Sequence, residues 1–386
     1  MKVVDRSAIE TPSQYRRCMR MKFIRNADSP LRSRYDRGAI NDYLWPSLPM
    51  TAHENMPSTP PSDPAAEFAA ATTTAALFDL GQRTQLELTG ADRQKYLHNF
   101  CTNEIRNLRP GQSCEAFVTT IQGKIKAHIF IFAEENSLWV DALPGYEDLL
   151  FAHFDKYLIT EDVQFQRRSA EYVEFYASGS EVLPRLAKLG LPVGNLTTSQ
   201  HVRTSLESHS IAVRRVDWLG VPGCLIQVPV AESTAVWQSL VAGGLEPAGP
   251  ETYNALRIAA GFPNYGVDIT EDNLAQEAAR TNLAISFTKG CYLGQEPIAR
   301  IDSMGHVNQE LRILRLQSGP APETGAKVLM PGEVREAGTV TSAGWDYTAN
   351  APVALAIIKR NYLPPGTKLN VVCGEQEVAA TVFARS

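Results

Sequence analysis

Two glycines four residues apart, Gly290 and Gly294, with Pro297 close behind, constrain this chain more than any other local feature. Glycine lets a backbone turn where a Cβ would clash. Proline suits the first position of a helix, where its missing N–H would have had no partner. The stretch from Phe287 to His306, F-T-K-G-C-Y-L-G-Q-E-P-I-A-R-I-D-S-M-G-H, therefore predicts a tight turn carrying Cys291 and Tyr292, followed by a helix opening at Pro297. Lys289 beside the thiol and a helix N-terminus just ahead both favour thiolate over thiol. The same spacing suits a turn whose cysteine is merely small and buried, and the local pattern leaves both readings open.

Upstream of that turn, apolar periodicity changes repeatedly between two and 3.6. Thr84 to Leu88 alternates as a half-buried strand, and Gly90-Ala91-Asp92 leads into a helix carrying Tyr96, Leu97 and Phe100. Ala116 to Ile121, Ile125 to Ala133 and Leu138 to Ala142 read as strands, and a helical run through Leu149, Leu150 and Phe154 follows. A second round has strands near Val173 to Tyr176, Ile211 to Val216 and Leu225 to Val228, with helices over Val182 to Leu189 and around Trp237. Helices are expected at Tyr253 to Ala260 and Ala275 to Ala284. Beyond Asn308, short strands at Leu311 to Leu316, Gly338 to Ser342, Val353 to Ile358 and Leu369 to Val372 alternate with Gly/Pro clusters, which predicts a small all-β barrel or sandwich. The pattern as a whole is α+β. It divides the chain into an α+β region at 75–307, with sub-units of about 75–165, 166–250 and 251–307, and a C-terminal β domain at 308–386.

Composition narrows the function classes. A net charge of −5 gives no support for a nucleic-acid partner, and no apolar run approaches the roughly 18 residues a membrane span needs. The six cysteines are scattered without a C-x-x-C pair, which argues against a structural zinc site or a preformed iron–sulfur ligand set. No metal is expected, and a reducing, cytoplasmic setting fits best. Residues 1–70 read as a tail: an Arg-rich start is followed by a Pro/Ser/Thr/Ala-rich stretch from Met50 to Ala70. A true start near Met50 accounts for it more simply than an organelle transit peptide.

The octapeptide Lys289-Gly290-Cys291-Tyr292-Leu293-Gly294-Gln295-Glu296 resembles the K-G-C-[FY]-x-G-Q-E signature of the YgfZ family, folate-binding relatives of the glycine cleavage T-protein (aminomethyltransferase). Arg300 and Gly305-His306-Val307-Asn308 fit the same family, as do Leu88 to Asp92, Thr102 to Ile105, Gln122-Gly123-Lys124, Gly261-Phe262-Pro263, Gly266-Val267-Asp268 and Leu274 to Glu277. The resemblance implies the aminomethyltransferase-like fold, α+β domains around a channel with a C-terminal β-barrel, and tetrahydrofolate or a derivative as cofactor. It implies support of iron–sulfur assembly or client proteins, more a maturation role than a conventional enzyme. Cys291 and Lys289 would carry the reactivity.

For folate, the candidate contacts are Asn103, Phe262, Tyr292 and Arg300, with Gln295, Glu296 and Glu277 near them. A pterin wants flat walls and a glutamate tail wants cations. Phe262, Tyr265, Tyr292 and Phe117 are such walls or ordinary core aromatics. Arg300 meets a folate carboxylate or pairs with Glu296 one turn earlier, and Asn103 faces the channel or caps a turn. T-proteins carry a glutamate where this chain has Ala259, and paired aspartates where it has Ala127 and His128. Those losses weigh against ordinary aminomethyl transfer. The rival readings are a tetrahydrofolate-dependent aminomethyltransferase or demethylase with another acid or base, for example Glu277, and a structural partner protein with a vestigial pocket.

Overall fold

The computed structural model describes residues 63–383. The expected tail up to residue 62, with the start near Met50, lies outside the described residues. Residues 64–70, expected as tail, are helical instead. Helix α1 (Pro64–Thr73) is opened by Pro64 and capped by Asp63, whose Oδ1 accepts the Ala65 N–H at 3.1 Å. The alanines read as linker composition are strong helix formers once Phe68 and Ala71 have a core to enter.

Strands β1 (Ala76–Asp79) and β2 (Thr84–Thr89) lead to α2 (Arg93–His98), then β3 (Ser113–Thr119), β4 (Ile125–Ala133) and β5 (Leu138–Ala142). Helix α3 (Glu147–Asp155), β6 (Gln164–Arg167), β7 (Tyr172–Ser178) and α4 (Val182–Lys188) follow. Next come β8 (His201–Leu206), β9 (His209–Arg215), β10 (Gly223–Pro229), α5 (Ser233–Ala242), β11 (Glu246–Ala248) and α6 (Pro250–Ala259). Two short helices, α7 (Thr281–Ala284) and α8 (Gln295–Met304), precede β12 (Gln309–Leu316) and β13 (Lys327–Leu329). The chain closes with β14 (Glu336–Asp346), β15 (Ala351–Lys359), β16 (Lys368–Cys373) and β17 (Gln376–Phe383).

These strands make three sheets. One has five strands in the order β3-β4-β5-β2-β6, and another six in the order β11-β1-β7-β10-β9-β8, antiparallel except for the β1–β11 pair. The last six strands close into a barrel, which settles the choice between barrel and sandwich. The α+β fold with a C-terminal β-barrel is therefore present.

Side-chain alternation decides how the two open sheets meet. In the five-stranded sheet, Leu86, Leu88, Val118, Ile129, Ile131 and Val140 share one aliphatic core with Tyr96 and Leu97 of α2 and Leu150 and Phe154 of α3. In the six-stranded sheet, Leu77, Val173, Phe175, Ile226 and Val228 form another with Val182 and Leu186 of α4 and Val236, Trp237 and Leu240 of α5. The residues between them in sequence point the other way. Phe130, Phe132 and Trp139 of one sheet join Phe78, Tyr176 and Leu225 of the other in a shared core.

Buried charge fills the rest of that shared layer. Arg83 lies 2.6 Å from Asp141 and 3.1 Å from Glu174, and Arg214 Nη1 donates to Glu174 Oε1 at 2.5 Å. Gln85 Nε2 donates to the same Glu174 oxygen at 3.0 Å, and Gln227 donates to Gln85. Burial, and then the neighbouring Asp141 carboxylate, push the Glu174 carboxyl well up, against the pull of Arg214 and Arg83.

Two sequence expectations change after α6. The helix expected over Ala275–Ala284 is a 3-10 turn (Ala275–Ala278) and then α7, separated by Ala279 in the left-handed region at φ 57°. The break turns Arg280 inward onto Glu115 of β3, an ion pair that a continuous helix would not direct there. Helix α8 begins at Gln295, so Pro297 occupies its third position, still within the first turn where no N–H is needed.

A second buried ion pair joins α6 to the barrel. Arg257 Nη1 donates to Asp268 Oδ2 at 2.7 Å and Arg257 Nη2 to Ser342 Oγ at 3.0 Å. Asp268 Oδ1 accepts from the Thr341 and Ser342 hydroxyls at 2.7 and 2.6 Å, and its Oδ2 takes the Asn264 N–H at 2.8 Å. Asp268→Ala strands the Arg257 guanidinium without a counter-charge and should cost about 3–5 kcal/mol. Urea unfolding checks this; a midpoint like that of the parent would show that the pair does not hold the barrel.

Candidate functional site

The glycine–cysteine turn sits on the end of the β3–β4 hairpin. Gly294 has φ +88°, and a Cβ there would lie 2.4 Å from the Thr120 carbonyl oxygen and 2.6 Å from Thr119 Oγ1. Thr119 Oγ1 donates to the Leu293 carbonyl at 2.8 Å, and the Leu293 N–H donates to the Asn99 carbonyl at 2.9 Å. Gly290 has no positive φ, so only the second glycine is demanded by conformation.

Lys289 is buried beneath this turn. Its ammonium donates to the carbonyls of His98 and Cys101 at 2.6 Å each and of Asn103 at 2.8 Å. All three ammonium hydrogens are thus engaged, and burial lowers the group to about 8. Lys289, placed beside Cys291 by the sequence pattern, is thus a clamp on three backbone carbonyls. Cys291 itself is exposed. Cys101 and Cys224 are buried, and burial pushes both thiols up to about 12. Among the described cysteines, Cys291 alone is exposed, and Cys114 is half-buried.

The other expected site residues separate into groups. Asn103 caps rather than faces a channel: its Nδ2 donates to the Glu115 and Leu283 carbonyls at 2.8 Å each, and its Oδ1 accepts the Glu104 N–H. Tyr292 is buried with Phe117, Ile125 and Ile298, where burial raises its phenol, and the Lys289 ammonium lies 4.7 Å from its ring centre. Glu277 is a cap as well, its Oε2 accepting from Asn273 at 3.0 Å, the Leu274 N–H at 3.3 Å and Gln309 at 3.2 Å. These three donors leave it poorly suited to the acid–base role considered for it. Gln295 is half-buried, while Glu296 and Arg300 are exposed and form no ion pair with each other.

Phe262 lies in the inner layer between the sheets. Its ring stacks on Trp218 at 5.2 Å and lies 5.8 Å from His128 and 6.2 Å from Phe130. The Arg280 guanidinium sits 5.0 Å from its centre, and Arg83 sits 5.1 Å from Trp218. His128 Nε2 is 2.7 Å from Glu115 Oε1, and Arg280 clamps both Glu115 oxygens. The aromatic layer around Phe262 is edged by charge, and Arg280 Nη1 and Trp218 Nε1 are buried there without partners.

Residues 5–289 match the GCVT N-terminal domain, and residues 309–386 match the glycine cleavage T-protein C-terminal barrel domain. The chain belongs to the glycine cleavage T-protein family. It is 27% identical over 299 residues to a chloroplastic protein of Arabidopsis thaliana, spanning 76% of this chain and 67% of that one. An aminomethyltransferase of Herpetosiphon aurantiacus is 26% identical over 319 residues, 82% of this chain and 88% of the other. The glycine cleavage system aminomethyltransferase T from Bartonella henselae has the same fold, with a TM-score of 0.76 at 22% identity over 85% of this chain and 90% of that one.

Within the T-protein frame, sequence reasoning missed Glu115, Arg280, Trp218 and the Arg83–Asp141–Glu174–Arg214 set. A signal was present: Glu115 and His128 are polar positions in strands that are mostly buried, and a charge at such a position must find a buried partner. Thr102-Asn103 has a physical role too. Thr102 Oγ1 donates to the Ala284 carbonyl at 2.6 Å and the Ser286 N–H donates to the Thr102 carbonyl at 2.9 Å, which docks the segment leading into the turn.

Gly294→Ala should displace the turn from Thr119 and Thr120, at a cost of about 1–2 kcal/mol for the left-handed residue alone. Cys291 alkylation rates and the thermal midpoint report it. A variant with both unchanged would mean that the turn's geometry does not depend on this contact.

Proposed function

We propose that this protein is a YgfZ-type member of the T-protein family: a tetrahydrofolate-binding factor that supports assembly or repair of iron–sulfur enzymes through Cys291. The observation that carries the reading is an exposed thiol on a turn pinned from beneath by buried Lys289 and Gly294. Such pinning spends fold stability on presenting one side chain. The full octapeptide resemblance supports the same assignment.

Folate fits the inner layer by its chemistry. Phe262 and Trp218 offer flat faces, and His128 and Arg280 offer polar edges. When bound, folate supplies a one-carbon carrier. The chain's own residues hold and orient it, exclude water and keep the Glu115 charge neutralised. One thiol cannot hold a cluster alone, so Cys291 acts on a client or assembly protein that brings the remaining ligands. No helix among the described residues is long and apolar enough to cross a membrane, and a reducing cytoplasmic compartment suits a working thiol.

A second reading, a tetrahydrofolate-dependent aminomethyltransferase or demethylase, is favoured by relatives that bear the aminomethyltransferase name and align over most of their length. The two readings separate on Cys291→Ser. The first predicts that the variant folds and binds tetrahydrofolate like the parent, while iron–sulfur enzyme activities fall in cells that carry only the variant. Full support of those enzymes by the serine variant removes the cysteine role. Methylene-tetrahydrofolate formation from an amine donor by the purified variant, at the parent's rate, would put the second reading first.

A further inference from the structure

His98, the last residue of α2, meets the cysteine turn twice. Its carbonyl accepts the Lys289 ammonium at 2.6 Å, and its ring reaches Gly290, where a Cβ would lie 3.9 Å from Nε2. The backbone N–H groups of Ile105 and Arg106 both donate to Nδ1 at 3.3 Å. That nitrogen therefore holds the lone pair, and Nε2 holds the proton. Glu104 Oε1 also lies 3.2 Å from Nδ1, but a proton there would face two N–H hydrogens, and the same oxygen accepts the Asn107 N–H at 3.3 Å.

The ring is neutral. Burial, and then the Lys289 ammonium, lower it to about 4; Arg106 acts in the same direction and Glu104 against it. The charged groups facing His98 are thus Lys289 from the turn and Glu104 and Arg106 from the loop after α2. Lys289 in turn faces Cys101, Glu104, Cys114 of β3 and Arg106. His98 is 1% exposed, and its Nε2–H is buried without a partner among the described residues. A donor left dry is a cost to the fold, and this one is closed to solvent, so its acceptor has to come from the turn beside it. Gly290 keeps that approach free of a side chain, although its φ does not call for glycine. The next residue is the exposed Cys291.

We infer that His98 is the anion-stabilising donor of the Cys291 site: when the thiol ionises, its sulfur accepts the His98 Nε2–H across Gly290. The thiol proton leaves to solvent and His98 keeps its own, so the ring serves as a fixed dipole and not as a base. Ile105 and Arg106 set the tautomer that points the N–H at the turn. The inference rests on Cys291 being the working thiol and gives that thiol a partner from α2, outside the signature turn.

The pH dependence of Cys291 alkylation by iodoacetamide, followed on the Cys291 peptide of the full chain, tests it. His98→Asn keeps an oxygen for the Ile105 and Arg106 N–H groups and removes the Nε2–H. His98→Gln keeps an N–H toward Gly290 and removes that acceptor. The asparagine variant should raise the midpoint of the rate profile by about one unit, a tenfold loss of thiolate below the midpoint. The glutamine variant should keep the parent's midpoint. A midpoint shared by the parent and the asparagine variant overturns the inference and leaves the Cys291 reading standing; that reading falls separately, if Cys291→Ser supports the iron–sulfur enzymes. Equal shifts in both variants mean a merely structural role and overturn the inference as well. If the variants do not fold, 15N–1H correlation spectra of the parent decide: the His98 Nε2–H resonance should move with the Cys291 midpoint and stay still in Cys291→Ser. A resonance indifferent to Cys291 contradicts the assignment.

Discussion

Glu174 is the charge on which the two open sheets depend. Each sheet has an aliphatic face covered by its own helices, so the opposite faces, which carry aromatic and ionised side chains, are left to meet one another. Burying a carboxylate unpaired would cost several kcal/mol. Arg83 and Gln85 reach Glu174 from the five-stranded sheet, and Arg214 reaches it from its own. Two arginines then face Asp141 and Glu174 across the layer. An aliphatic core would hold two sheets together at least as firmly. A polar, aromatic one keeps hydrogen-bonding groups in the interior that water cannot serve.

That layer and the cysteine turn are connected through the β3–β4 hairpin. Glu115, Phe117 and His128 lie on the hairpin's inner face, while its tip supports Gly294 and the start of α8. Asn103 and Arg280 complete the link, since one ties α7 to β3 and the other pairs with Glu115. A change at the inner face therefore has a short path to the turn through packed side chains and a buried ion pair. The thiol and the polar layer are two ends of one hairpin.

Strands with clear alternation were legible from the sequence, and Ile125–Ala133 and Leu138–Ala142 have the bounds their periodicity predicts. The short strands β6, β8, β11 and β13 were not, because three to six residues carry too little periodicity to stand out. The 275–284 segment was misjudged for a different reason: its composition favours helix, while Glu277 capping and the Arg280–Glu115 pair break it at Ala279. At the site, the turn that carries Cys291 was legible, whereas the exposure of its thiol, left open by the local pattern, is seen only in the fold. Lys289 was recognised as important but given the wrong neighbours, since its carbonyl partners come from a loop nearly two hundred residues earlier in the chain, where no local pattern could point.

The family, the polar inner layer and the exposed cysteine are the observations on which the proposed folate-binding, thiol-presenting role rests. Hydrogen–deuterium exchange with and without tetrahydrofolate addresses the central claim most directly, because it reports where the ligand binds as well as whether it does. The account predicts slowed exchange in β3, β4 and residues 275–285, the segments that bear Glu115, His128 and Arg280. Unchanged exchange there, or protection confined to the C-terminal barrel, would contradict it.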